Sequence, residues 1–195
     1  MLRPIQDLVP DKKTGIAWSS IVVALILAVC SAFLIRSVIH SFFFFPYRIK
    51  NDIMAPALVD GAQVTIHWGF SPEQSRIGTI VLYQQPGTPA DGQYLMGRIV
   101  ALPADKVELK TGQVWVNGAA VQTDWERAAL QLLARKAPRL PQTGIGVGSP
   151  FEMAPLKIPA EHVFILSDNR IYVQDSRQLG PLDRKYIAGV VTAPD

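Results

Sequence analysis

Residues 16–35 read IAWSSIVVALILAVCSAFLI, twenty consecutive positions without a charge. As an α-helix rising 1.5 Å per residue, that stretch spans roughly 30 Å, the thickness of a bilayer core. Such a segment must lie in lipid or be wrapped in protein. The roughly 150 residues left over are too few to wrap it. A cleaved secretory leader has a shorter apolar core, about 7–15 residues, with a small-x-small cleavage site close behind it. Neither property matches here. The sequence therefore predicts a membrane anchor, opening after Thr14-Gly15 and closing at Arg36, whose stem can reach toward headgroups. A lipid bilayer is one expected partner. Charge does not orient the span: Arg3, Lys12 and Lys13 precede it, and Arg36, Arg48 and Lys50 follow it. Cys30, inside the span, reads as inert packing.

The rest of the chain excludes several function classes. One cysteine among 195 residues allows no internal disulfide and no cysteine-built metal centre. His40, His67 and His162 have no zinc-ligand spacing, so no metal and no cofactor is expected. A net charge of +3 without a Lys/Arg run gives nucleic-acid binding no electrostatic support. Hydrophobic residues make up 49% of the chain, too many for a disordered polymer.

Past Arg36 the text stays apolar through SVIHSFFFFP. Two readings of the four phenylalanines stay open: they rest in the membrane interface, or they enter the core of the next domain. Pro46 ends any helix there. From Tyr47 onward the period changes to that of strands. Short β-branched and aromatic runs recur at 62–68, 77–83, 95–102, 113–116, 162–166 and 186–192, each bounded by Gly, Pro, Asp or Asn. Asn117-Gly118 between two apolar runs is a hairpin signal, because both residues tolerate positive φ. The fold class is mainly β: an antiparallel, hairpin-rich domain behind one N-terminal transmembrane helix.

One segment breaks the β pattern. In 124–141, Trp125, Ala128, Ala129, Leu132 and Leu133 share a helical face, with Asp124 as N-cap and Pro138 as stop. A Gly- and Pro-rich loop follows over 141–155. Its GxGxG look lacks the preceding strand, the following helix and the lysine that phosphate binding needs. The organisation predicted is a tail at 1–15, an anchor and interface segment at 16–45, and a β-domain at 46–195 with a helix-and-loop insertion at 124–155.

Three stretches then carry a family resemblance: FFFFPYRIKNDIMAPALVDGAQV (42–64), YLMGRIVALPADKVEL (94–109) and VFILSDNRIYVQDSRQLGPL (163–182). In this order, behind an N-terminal membrane helix, the chain resembles the type I signal peptidases from the anchor to residue 192. The cluster Asp168-Asn169-Arg170, then Asp175-Ser176-Arg177 and Gly180, is its most specific part. That family consists of membrane-anchored serine endopeptidases of a β fold. They remove signal peptides from exported proteins with a serine nucleophile and a lysine general base. The resemblance implies a bacterial plasma-membrane protein with a short cytoplasmic N-terminus and an extracytoplasmic β-domain.

The resemblance fails where the family's chemistry sits. The motif Ser-Met-x-Pro-Thr-Leu appears here as Ile53-Met54-Ala55-Pro56-Ala57-Leu58, so the nucleophile position is Ile53. The Lys-Arg pair of the second motif appears as Gly97-Arg98, so the base position is Gly97. Asn51 stands where a serine often helps hold the oxyanion, Val173 where a serine often orients the lysine, and Ser167 at a usual glycine. Cleavage by a Ser/Lys dyad needs an Oγ to attack and a neutral amine to take its proton. Losing such a dyad costs on the order of 10⁶ in turnover in a comparable protease. No catalytic residue is therefore expected. Lys50 and Lys106 offer a base without a nucleophile, and Ser167 a hydroxyl without an evident base. Asp52 reads as a turn residue rather than half of a carboxylate pair. Asp168 is expected to pair with an arginine of its own cluster.

What remains is a scaffold. Asp168, Asn169, Arg170, Asp175 and Arg177, with Arg98, are expected to cross-link strands around the old site. Met54 and Pro56 are expected to line it, with Ile53 adding apolar surface. A groove that once held an extended peptide can still hold one. The sequence thus predicts an inactive signal-peptidase-like membrane protein that binds an exported polypeptide or a membrane complex, as a chaperone or accessory subunit. Two competing readings are an active serine endopeptidase with a relocated nucleophile, and a structural subunit docking through its transmembrane helix.

Overall fold

The computed structural model describes residues 18–89, 93–136 and 151–193. The tail at 1–15, Pro138 and the stretch 141–150 lie outside them. The chain divides into two compact units, Met1–Phe42 and Phe43–Asp195. That division falls three residues before the boundary predicted at 45/46.

The first unit is built on α1, which runs Trp18–Phe43. The segment Trp18–Val38 is long and apolar enough to cross a membrane, and its side chains are exposed throughout. The helix does not stop at Arg36. Nothing between Arg36 and Phe43 breaks the i→i−4 ladder, since the first proline is Pro46. Backbone direction changes inside the phenylalanine run itself, where Phe44–Arg48 becomes β1. Phe45 therefore belongs to a strand of the second unit and is 52% exposed. Pro46 is tolerated because β1 is an edge strand.

Two antiparallel sheets make the second unit. The larger uses β1, β2 (Gln63–Trp68), β3 (Ile80–Gln84), β4 (Tyr94–Ala101), β9 (His162–Leu166), β10 (Leu182–Asp183) and β11 (Ile187–Thr192). Its order is β1-β2-β11-β3-β4-β9-β10. The smaller sheet has the order β7-β6-β5-β8, from β5 (Lys106–Lys110), β6 (Gln113–Val116), β7 (Ala119–Ala120) and β8 (Met153–Lys157). Period-2 alternation sends neighbours on one strand to opposite cores. On β3, Ile80 and Leu82 join Met54, Leu58, Val64 and Val191 on one face, while Val81 and Tyr83 join Ile99, Ile165 and Ile187 on the other. Strands buried on both faces read as near-continuous apolar runs, as HVFIL does. A third cluster, with Val100, Val107, Leu109 and Phe164, welds the small sheet to the ends of β4 and β9.

Asn117 (φ 53°) and Gly118 (φ 83°) form the predicted tight turn between β6 and β7. Four strands lie where none was predicted: β1, β5, β8 and the two-residue β10. In β5 the alternation is Lys-Val-Glu-Leu-Lys, with Val107 and Leu109 inside and the charges outside. In β8, Met153–Lys157 turns the end of the expected loop into an edge strand against β5. β1 was hidden by its proline.

The inserted helix is α2, Asp124–Lys136. Asp124 is its first residue rather than its cap. Thr123 takes the cap place: the Arg127 amide donates to Thr123 O at 3.0 Å and the Glu126 amide to Thr123 Oγ1 at 3.4 Å. Asp124 instead pairs with Arg127 one turn on. The buried face also differs from the predicted one, comprising Glu126, Ala129 and Leu133, with Trp125 half-buried. A glutamate on the inward face is the departure that matters for the site.

Candidate functional site

A cleft of about 430 Å³ opens in the larger sheet, between β1, β2, the start of β4 and the turn after β1. Its floor is apolar, with Ile49, Ile53, Leu82 and Met96; Trp68 and Tyr94 stand at one side as an edge-to-face pair with centroids 5.6 Å apart. Ile53 and Asn51 both line it. Met54 and Pro56 do not. Met54 is 1% exposed and packs with Ile49, Leu58 and Val64 beneath the turn, while Pro56 is exposed away from the lining. Successive residues of a tight turn project in different directions. Of the segment 53–56, only Ile53 faces the cleft.

The two positions that the motifs assign to a nucleophile and a base, Ile53 and Gly97, have distinct geometries. Ile53 is pinned by its main chain: its amide donates to Asn51 Oδ1 at 3.2 Å, and its carbonyl accepts from the Asn169 amide at 3.0 Å. The Ile53 amide is thus held by the chain's own carboxamide. Gly97 is buried on β4, opposite Val81 of β3. A Cβ built at Gly97 would lie 2.3 Å from Ile165 Cγ2, 3.3 Å from Tyr83 Cε1 and 3.4 Å from Leu166 O. The first distance is far inside van der Waals contact, so the start of any side chain there is already occupied by Ile165 of β9.

Three buried ion pairs join β4, α2 and the segment 168–177, which reaches Ile53 through the Asn169 amide. Arg98 holds Asp168 with two parallel bonds, Nε to Oδ1 at 2.8 Å and Nη2 to Oδ2 at 2.5 Å, and donates from Nη1 to Gly78 O at 2.6 Å. Asp168 therefore pairs across to β4 and not within its own cluster, because β4 and β9 run side by side there. Trp125 of α2 lies over the Arg98 guanidinium, 5.0 Å from the ring centroid. Arg170, fully buried, pairs with Glu126 of α2, whose other oxygen accepts the Val114 amide at 2.8 Å. Asp175 accepts from Ser167 N at 2.9 Å and from Arg177 N and Nε at 3.0 and 2.9 Å. Arg177 also caps the carbonyl of Arg170 at 2.7 Å. Asn169 ties the cluster to the cleft turn, donating from Nδ2 to Asp52 O at 3.0 Å. Asp52 also accepts the Ala55 amide at 3.1 Å, as a turn residue.

Burial pushes the Glu126 carboxyl above its ordinary value, with Arg170 pulling it back. Burial, with Asp175 adding to it, also drives the Tyr83 hydroxyl far up; that hydroxyl donates to Gln174 O at 3.0 Å. Ser167 is buried, its amide engaged by Asp175, and is not among the cleft residues; Val173 is not either. Lys106 lies on the small sheet, paired in register with Lys157. Among the described residues the lining contains no serine, threonine or cysteine, and one amine, Lys50.

Sequence reading missed Glu126, Trp125 and Ile165. Glu126 carried a usable signal, standing one residue after a tryptophan on the inward face of an amphipathic helix. Ile165 gave none, since its role depends on which residue β4 places opposite it.

The family described as "Signal peptidase, peptidase S26" matches residues 18–194. Signal peptidase I S of Bacillus subtilis (strain 168) is 32% identical over 93% of this chain and 89% of its own length. Signal peptidase I of Bacillus amyloliquefaciens is 30% identical over 85% of this chain and 81% of its own. A crystal structure of a signal peptidase I from Enterococcus faecalis V583 overlaps 60% of this chain and 96% of that one, with a TM-score of 0.42 and 21% identity. A match running from the apolar helix to the last strand, with two relatives aligned over most of both lengths, shows that this chain belongs to the signal peptidase family, peptidase S26.

Proposed function

We propose that this protein keeps the family's peptide cleft but does not cut what it binds. One observation carries the reading: Ile53 stands at the nucleophile position, and the base position is Gly97, whose Cβ direction is filled by Ile165 Cγ2 at 2.3 Å. A hydrolase at this site needs an alcohol and an unprotonated amine within reach of each other. The lining offers neither pairing, and the Arg98–Asp168 and Arg170–Glu126 pairs are intact. The retained cleft supports binding of an extended polypeptide, with pockets for alternate side chains. On this reading the protein is a chaperone or accessory subunit for an exported polypeptide or a membrane complex. It sits in the bacterial plasma membrane through Trp18–Val38, with the N-terminus cytoplasmic and the β unit outside.

The test uses the full chain in lipid nanodiscs with a signal-peptide-bearing precursor. The expected result is a bound, uncut precursor and no labelling by a serine-reactive phosphonate. Cleavage that disappears on Ser167→Ala, or on replacing any other single serine, overturns the proposal in favour of a relocated nucleophile.

A further inference from the structure

Lys50 is the one charged side chain lining the cleft, and no acidic side chain lines it among the described residues. Its ammonium has no hydrogen-bond or ion-pair partner among them, unlike Arg98, Arg170 and Arg177. Beside it, Asn51 turns Oδ1 to the Ile53 amide, which leaves its Nδ2 donors unengaged. The cleft, lined mostly by apolar and aromatic residues with Gln93 and Gln174, thus offers a cation and an amide donor with no carboxylate among the described residues. The complement is an apolar chain with a single anionic end. The main chain says what kind of chain. β9 pairs with β4 only over Arg98–Ala101, so Tyr94–Gly97 has β3 as its one ladder partner and presents an unpaired edge beside the cleft. A polypeptide can use that edge; a fatty acid has no amides to use it.

We infer that the cleft seats the free C-terminal segment of a polypeptide, with apolar side chains on the floor and the α-carboxylate on Lys50 and Asn51. This rests on the reading of the cleft as a non-cleaving peptide site and names its ligand. An α-carboxylate on an ammonium and an amide N–H makes charge-assisted hydrogen bonds, stronger than those a neutral amide end can make.

The experiment is fluorescence anisotropy on the full chain in nanodiscs. The probe is an N-terminally fluorescein-labelled heptapeptide of Ala, Val, Leu and Phe, made as the free acid and as the C-terminal amide. The acid is expected to bind roughly tenfold more tightly than the amide. Lys50→Gln, an exposed substitution, is expected to weaken the acid to the level of the amide and leave the amide unchanged. Equal binding of the two forms, or equal loss of both in Lys50→Gln, overturns this inference and leaves the peptide cleft standing. Palmitate binding more tightly than the acid peptide, with the same dependence on Lys50, overturns the assignment to a polypeptide. Failure of both peptide forms to bind overturns this inference and the cleft reading together.

Discussion

Position 97 has no room for a side chain beside Ile165. Because Ile165 Cγ2 sits in the Cβ direction of Gly97, adding even a methyl group there overpacks the core formed by Tyr83 and Ile165. Gly97→Ala is expected to cost about 1–3 kcal/mol in chemical denaturation. Ile165→Leu, which lacks the Cγ2 methyl, should recover part of that cost, a coupling that a double-mutant cycle reads directly. The buried Arg170–Glu126 pair makes a second prediction. Arg170→Met leaves a buried carboxylate alone and is expected to cost about 3–5 kcal/mol at neutral pH. The sign with pH follows from Glu126. Its folded value lies above the ordinary 4.5, so its burial penalises the fold least below 4.5 and increasingly as pH rises through the folded value. The Arg170→Met deficit should therefore shrink on acidification toward 4.5, followed as the denaturation midpoint against pH. Replacing both residues by Met should be neutral or stabilising and flatten that dependence.

Elements were legible where one physical signal dominated. The Asn117-Gly118 hairpin, the apolar helix and the runs that became β2, β4, β9 and β11 follow from positive-φ tolerance, length and period. The edges were not. β1 contains Pro46, β5 carries three charges in five residues, and β8 follows a Gly/Pro-rich stretch, so local composition argued against strands that only sheet pairing creates. In the site, the residue types at 53 and 97 could be read from the motifs. The partners of Asp168 and Arg170 could not, because Arg98 and Glu126 are 70 and 44 residues away in sequence. The first turn of α2 concentrates this long-range order, with Trp125 on Arg98 and Glu126 on Arg170. Trp125→Ala is expected to lose about 2 kcal/mol, with Trp125→Phe keeping part of it, measured by thermal unfolding. At the β6–β7 turn, Gly118 has φ 83° and open space around a Cβ, so Gly118→Ala should cost only the backbone strain, about 1 kcal/mol.

For the molecule as a whole, the joint between α1 and the β unit falls within a run of like residues, and where it is cut matters. Phe44 and Phe45 pair with His67 and Ile66 on β2. A fragment of residues 43–195 is expected to fold and leave lipid vesicles, while the full chain stays with them. A fragment of 47–195 loses Phe44–Pro46, three of the five residues of β1, and should unfold at a lower midpoint. If the shorter fragment is as stable as the longer, β1 contributes nothing to the sheet. The packing at Gly97 also bears on how such a protein can change over generations. Placing any side chain there must displace the isoleucine methyl first, and trimming that isoleucine alone leaves a void with no gain in return. Each step is harmful without the other, so a larger residue at 97 demands a coordinated change at 165.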